Sequence, residues 1–405
     1  MAIPHSMLLL LFVSSMCVMV TLGAPNFSYI KGNVSSTIVN LTGEGKPEDY
    51  SFLTNSTEEL FFDNATIGVL DLTHPLASIR PWKVVITNSN VTRVLFPAAM
   101  SASVVHLTHM GVEDVEFENN TSLQDFRADY TSLQVVSPTV SKLLTLDILW
   151  ITHSQLTNFS FDVLENSPVS LLYLVGNKIE LVTITPGLVC CRNLEELFLS
   201  GNQLKRLDFG TMALMSKLKT ILLEGNRLAE VQLNLPDKEH QQMTVNEAGD
   251  VETFCSWRTY YIEQEQKSQD VPMPNCTDYF ATLLSVHMPR NAFEHIDFGV
   301  FRLMNNLNSL DLTKNRLLEL VATEEKVPIR LSELFASNNN ISDVYLRPFP
   351  AMKAIYLYDN NVNTLNMSSL PGELDYLNLV NNPLDCNELP HMNSSVKALG
   401  PYTEC

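Results

Sequence analysis

One pattern constrains this chain more than any other: L-x-x-L-x-L-x-x-N-x-L, present twice in register between Leu194 and Leu233. Leu194, Leu197, Leu199, Asn202 and Leu204 form one copy, and Leu218, Ile221, Leu223, Asn226 and Leu228 form the next, 24 residues on. The L-x-L centre alternates as a short strand does, with its leucines on one face and x on the other. The asparagine can bond backbone groups of the neighbouring turn. A single copy cannot bury its apolar face, so copies must stack, and stacking strands of this spacing gives a parallel sheet along one side of a solenoid.

Read by its central apolar residue, the pattern recurs at Phe62, Ile86, Leu107, Ala128, Ile151, Leu174, Leu199, Leu223, Met288, Leu312, Ala336, Leu357 and Leu379. These are leucine-rich repeats, about 13 of them, and they predict an α/β solenoid: a curved horseshoe whose parallel sheet lines the concave side. Asparagine fills its position at Asn177, Asn202, Asn226, Asn291, Asn315, Asn339, Asn360 and Asn382, whereas the first five units carry Ala65, Ser89, Met110, Thr131 and Ser154 there. The N-terminal units are therefore the weaker copies. Phe209, Leu233, Phe298, Leu346 and Met367, ten residues beyond their centres, are expected to fill the core behind the sheet. The returning segments are too short for long helices, so loops, turns and brief helical pieces are expected there.

Spacing sets the boundaries. Met7 to Val20 is an apolar stretch too short to span a bilayer and is followed by small residues, so residues 1–23 read as a secretory signal, although MAIPHS before it carries no Lys or Arg. No later stretch reaches the length of a membrane span. Residues 24–57 are expected to cap the array, with a small hairpin from Ser28 to Ile30 and Thr37 to Leu41. Repeats occupy 58–385, and 386–405 form a disulfide-closed C-terminal cap. Leu223 and Met288 are 65 positions apart where one repeat needs about 24. The excess, about 234–280, is an insertion that holds Cys255, Cys276, Trp257, Tyr260 and Tyr261. Long loops of this kind are either decorative or functional.

Thirteen N-x-S/T sequons agree with an extracellular, glycosylated chain: Asn26, Asn33, Asn40, Asn55, Asn64, Asn90, Asn119, Asn120, Asn158, Asn275, Asn340, Asn366 and Asn393. Without Cys17 in the signal, six cysteines remain, an even number suited to an oxidising compartment. Cys386 with Cys405 closes the last loop. Cys190 and Cys191 are adjacent, and a bond between them is expected to be strained, so each is expected to reach Cys255 or Cys276. The other arrangement, Cys255 with Cys276, leaves the doublet free, and a free thiol there would cross-link chains into an oligomer.

The most informative positions for function are the x residues of L-x-L, which face away from the core. In order they are Phe61, Val85, His106, Arg127, Trp150, Tyr173, Phe198, Leu222, His287, Asp311, Phe335, Tyr356 and Asn378. Trp150, Tyr173, Phe198 and Leu222 are consecutive and form a ladder; Phe335 and Tyr356 form a second, smaller patch, with His287 and Asp311 between as a contact sensitive to pH. Contiguous exposed aromatics mark partner surfaces, though the same residues would be core if the register slipped by one. With 26 Lys and Arg against 45 Asp and Glu, the net charge is −19, which opposes nucleic acid and anionic membranes. No catalytic motif is present, His106 and His109 lack the further ligands a zinc site needs, and neither enzyme activity, a metal nor a cofactor is expected.

The signal, the repeats from about Phe62 to Leu384 and the cysteine-closed cap beginning Asn382-Pro383-Leu384-Asp385-Cys386 resemble the ectodomains of Toll-like receptors and secreted leucine-rich-repeat proteins. The short irregular repeats and the Cys190–Cys191 doublet resemble the mosquito leucine-rich repeat immune family, as a coil-less member, since no heptads follow Leu384. That resemblance implies innate immunity, with a complement-like thioester protein or a microbial molecule as partner. The same architecture also serves developmental or adhesion ligands, and a third role is that of a carrier or inhibitor acting through the inserted loop.

Overall fold

A computed structural model of the chain describes residues 27–43, 50, 52–76, 79–185, 188, 190–235, 279–323 and 326–384, together with the backbone of strands at 18–20, 241–245, 251–255 and 397–399. Its spine is a 17-stranded sheet. From Ser35–Val39 onward every strand in it runs parallel to the next. All thirteen expected repeat centres are buried on or directly after successive strands of this sheet, so the register is the one the L-x-L spacing predicts. The solenoid is curved, as such a stack requires.

The expected hairpin forms between Ser28–Lys31 and Ser35–Val39, antiparallel. Its second arm does more than cap: it pairs in parallel with Glu59–Asp63, and Ile38 is buried, so the repeat register begins one strand earlier than expected. Val18–Val20, within the expected signal, pairs antiparallel with the first arm.

Helix is scarce, in keeping with the brief helical pieces expected of such short returning segments. Among the described residues the α content is one turn, Thr73–Leu76. The return side instead carries 3-10 turns and a second series of short parallel strands. Thr66–Asp71, Asn90–Phe96 and Asp114–Phe117 make a three-stranded sheet there, and Asn158–Ser160 pairs with Leu181–Thr183, Arg206–Asp208 with Glu230–Gln232, and Glu319–Val321 with Asp343–Tyr345. Each return has too few residues for a helix but enough for a strand and a turn. The turns are capped from within: Ser137, Ser160, Asp208, Asp297 and Asn366 each accept a bond from the backbone N–H two residues on. Of the residues expected in the core behind the sheet, Phe209, Phe298 and Leu346 are fully buried, whereas Leu233 and Met367 are only partly covered.

Two side-chain devices link the turns. Two residues beyond each of the thirteen centres the chain takes a positive φ: Asn64, Asn88, His109, Tyr130, His153, Gly176, Gly201, Gly225, Arg290, Lys314, Asn338, Asp359 and Asn381. This left-handed residue turns the chain out of the strand at the same place in every repeat, and glycine and asparagine hold most of these places because they tolerate it best. One residue further on sits the asparagine. Asn202 donates through Nδ2 to the carbonyls of Leu174 (2.8 Å) and Leu199 (3.0 Å), while its Oδ1 accepts from the Ile179 N–H (3.0 Å). Asn177, Asn226, Asn315, Asn339, Asn360 and Asn382 make equivalent bonds. In the N-terminal turns Ser89 and Ser154 do part of this, and Ala65 and Met110 none of it. There the three-stranded return sheet supplies backbone bonds in place of the missing clasps.

The inserted residues do not interrupt the sheet. Leu222 pairs directly with His287 across the gap. Within the insertion, Gln241–Val245 and Val251–Cys255 form an antiparallel hairpin; Trp257, Tyr260 and Tyr261 lie outside the described residues.

Candidate functional site: the concave row

Strand pairing places the thirteen expected x residues in one unbroken row. Phe61 sits opposite Val85, Val85 opposite His106, and His106 opposite Arg127. Arg127 faces Trp150, which leads through Tyr173, Phe198 and Leu222 to His287. Asp311, Phe335, Tyr356 and Asn378 complete it. Each is partly exposed while its neighbours on either side along the strand are buried, so the alternative of a one-residue slip, with the aromatics in the core, does not hold.

The rings are stacked on one another. Trp150 and Tyr173 lie 4.2 Å apart between centroids, and Tyr173 and Phe198 4.1 Å, both close to parallel. Such stacking contributes roughly 0.5–1.5 kcal/mol per pair beyond burial. Because the ring normals run across the strands, the column presents ring edges, not ring faces, to anything that enters the concave side. Arg127 covers the first face, its guanidinium 5.4 Å from the Trp150 centroid, and is held there by a 2.7 Å ion pair with Asp125. The Asp125 bond raises the Arg127 pKa. Burial raises that of the Tyr173 phenol, with the Glu196 charge adding to it. The indole Nε1 of Trp150 donates to Thr152 Oγ1 (2.8 Å), which donates to Asp129 (2.5 Å).

The second patch is larger than the sequence indicated. Phe335 stacks on Tyr356 at 4.5 Å, and Tyr376, the first residue of the next strand, leans on Tyr356 at 5.1 Å. Ile148 and Leu171 likewise flank the first ladder from the first position of their strands, partly exposed. The two-residue period of the strands puts these first positions on the same face as the central x. A further column, His109, Tyr130 and His153, stacks at 4.9 and 4.7 Å along the left-handed turns. Nothing in an L-x-L reading points to it, because those residues lie beyond the strand pattern.

Between the patches, His287 Nδ1 and Asp311 Oδ2 are 3.9 Å apart. Burial pushes the Asp311 carboxyl upward, but bonds from His287 and Thr313 outweigh it, and the net result is a pKa below the ordinary carboxylate value. His106 stands in the row with its Nε2 buried and without a partner, and burial lowers its pKa. His109 is turned away into its left-handed corner, so the two do not converge. Among the described residues no group of three or more His, Cys, Asp or Glu is placed to hold a metal ion, and no helix is long and apolar enough to cross a membrane.

Two expectations about modification are corrected. Cys190 and Cys191 are bonded to each other, with Cα atoms 3.8 Å apart and a trans peptide between them, so neither reaches Cys255 or Cys276. Cys191 adopts a left-handed φ of 61°, a local backbone feature that no cysteine spacing reveals. The side chains of Cys255, Cys276, Cys386 and Cys405 lie outside the described residues. Asn120 is only 3% exposed. Its Nδ2 donates to the carbonyls of Met100 and Ala98, and its Oδ1 accepts from Ser122 and Leu123, so it clasps two turns and has no room for a glycan. Asn33, Asn40, Asn55, Asn64, Asn90, Asn119, Asn158, Asn340 and Asn366 are exposed, and none stands in the concave row; Asn26, Asn275 and Asn393 lie outside the described residues.

No protein-family model matches the chain. Its sequence is similar to lumican of Bos taurus, 23% identical over 263 residues that cover 58% of this chain and 74% of that protein. Among solved structures, it is similar to TLR13 in a complex with ssRNA13, at a TM-score of 0.47 and 15% identity over 90% of this chain, which spans 57% of the length of that one. It is also similar to the leucine-rich repeat domain of APL1B, at a TM-score of 0.44 and 16% identity over 87% of this chain and 84% of that one. With thirteen stacked turns, each built on the same buried centre, left-handed corner and clasp position, the chain folds as a leucine-rich repeat solenoid.

Proposed function

We propose that this is a secreted, non-catalytic binding protein that holds a protein partner on its concave row. The observation that carries the reading is the continuous column Arg127, Trp150, Tyr173, Phe198 and Leu222, partly exposed and pre-stacked, on a rigid sheet. Large aromatics already ordered in the free protein lose little further freedom on binding, which is why such residues dominate interface energetics. The exposed sequons all lie off this row, so glycans at them would leave it open. The charge of −19 favours a protein over a polynucleotide. Innate immunity, with a complement-like or microbial partner, is the role the family resemblance supports.

The test is capture from native extracellular fluid by the wild-type chain and by a variant carrying Trp150→Ala, Tyr173→Ala and Phe198→Ala, with circular dichroism confirming that the variant folds. A protein retained by wild type and reduced about tenfold or more by the variant is expected. Equal retention by both refutes the reading. Capture of a thioester or microbial protein supports the immune role, and capture of a cell-surface receptor supports a developmental one.

A further inference from the structure

The two aromatic patches share a unit that the row alone does not show. The strands Glu196–Phe198 and Glu333–Phe335 have the same sequence, Glu-Leu-Phe, with the carboxylate and the ring on the same solvent-facing side. Each phenylalanine is stacked against a tyrosine on a neighbouring strand, Phe198 on Tyr173 and Phe335 on Tyr356. From the Asp125–Thr131 strand onward, the other carboxylates that face solvent from these strands or the two residues after them are already engaged. Asp125 holds Arg127, Asp129 holds His153, Glu224 holds Arg290, and Asp311 faces His287. Glu196 and Glu333 have no basic side chain within ion-pairing distance among the described residues.

The protein shows on its own surface what such a unit accepts. At the head of the column a carboxylate at the first strand position, Asp125, and an aromatic ring on the adjacent strand, Trp150, together hold the guanidinium of Arg127. Glu196 and Glu333 repeat that arrangement of acid beside stacked rings, with no guanidinium supplied. A carboxylate next to apolar surface binds a cation more strongly than one in open water, because the rings exclude part of the competing solvent.

We propose that Glu196 beside Tyr173 and Phe198, and Glu333 beside Phe335 and Tyr356, are two anchor points for a basic segment of the protein partner. The proposal rests on the concave binding reading above and specifies its chemistry. From Phe198 to Phe335 there are four strand-to-strand steps, which is about 19 Å at the usual inter-strand spacing. An extended chain covers that in about six residues, an even number that leaves both anchors on one face. The segment therefore carries two arginines or lysines about six positions apart, with apolar residues between them over Leu222.

The probe is a fluorescent nonapeptide with arginines six positions apart, compared with the same peptide carrying glutamate at both places and with one whose arginines are two apart. Polarisation is measured at low and at physiological ionic strength on the full chain and on Glu196→Gln, Glu333→Gln, their double variant and the triple alanine variant. Wild type is expected to prefer the six-spaced peptide, each glutamine variant to weaken it about fivefold, and salt to weaken it further. Equal affinity of wild type and both glutamine variants, or no preference of wild type for arginine over glutamate, overturns the proposal. If the triple alanine variant alone loses binding, the concave reading stands and the basic segment falls. If no variant changes binding, both fall.

Discussion

Replacing Asn202 by alanine is the sharpest test of how this solenoid is held together. The side chain is 5% exposed and makes three close bonds, with a longer one to the Ser200 carbonyl (3.4 Å). The Leu174 and Leu199 carbonyls keep a partner each in the variant, because Asn177 also donates to the first and Asn226 to the second. The Ile179 N–H has no such substitute, and Ile179 is fully buried. An orphaned buried donor costs roughly 1–3 kcal/mol and each lost side-chain bond about 1, so Asn202→Ala is expected to destabilise by about 2–3 kcal/mol. Asn202→Asp should cost more, since it keeps the acceptor but aims a carboxylate at two carbonyl oxygens. Urea unfolding followed by circular dichroism gives the totals, and hydrogen exchange at the Ile179 amide gives the local share. A wild-type-like midpoint for Asn202→Ala, within about 0.5 kcal/mol on conversion, together with unchanged exchange at Ile179, would refute the clasp as a structural element.

Three other outcomes follow from named geometry. Asp311 has its folded pKa depressed, so its contribution is present above the ordinary carboxylate range and is lost as pH falls through the folded value; the stability gap between wild type and Asp311→Asn should be constant near neutrality and shrink in acid, and a gap that stays the same down to about pH 2 contradicts the pairing. Trypsin cuts after Lys178 and Arg192 and nowhere between; the non-reduced digest should therefore yield the 179–192 peptide with its two cysteines joined to each other, and its appearance cross-linked to a Cys255 or Cys276 peptide would show a different pairing. Enzymatic removal of glycans in oxygen-18 water, which converts each glycosylated asparagine to an aspartate carrying one solvent oxygen, should label Asn119 but not its neighbour Asn120, and label at Asn120 would mean that its turn is not folded as described.

The parallel row was legible because its period is written twice over, once as leucine spacing and once as alternation within each strand. Trp150, Tyr173 and Phe198 could thus be placed side by side from the sequence alone. Their orientation could not, since ring stacking depends on the close approach of adjacent strands and not on the identity of any one residue. The return strands went unread because Val91, Val94 and Phe96 follow no period that differs from a loop with buried contacts. The left-handed corner was half written, in Asn64, Asn88, Gly176, Gly201 and Gly225, and hidden where His109, Tyr130, Arg290 and Lys314 take the same conformation. A sequon states acceptor chemistry and carries no information on burial, which is why Asn120 looked like Asn119.

The division of labour between the two ends of the array has a genetic consequence. A point mutation can delete an asparagine clasp, but it cannot delete a backbone N–H or carbonyl unless it introduces proline. The turns from Asn177 onward combine single side chains that one base change can remove with return-side pairs of only three residues, whereas those bounded by Thr66–Asp71, Asn90–Phe96 and Asp114–Phe117 draw on longer main-chain pairing on the return side. The N-terminal end is thereby free to drift in sequence while keeping its shape. It is also the better place to graft new surface residues, because changes of side chain there leave the main-chain pairing intact.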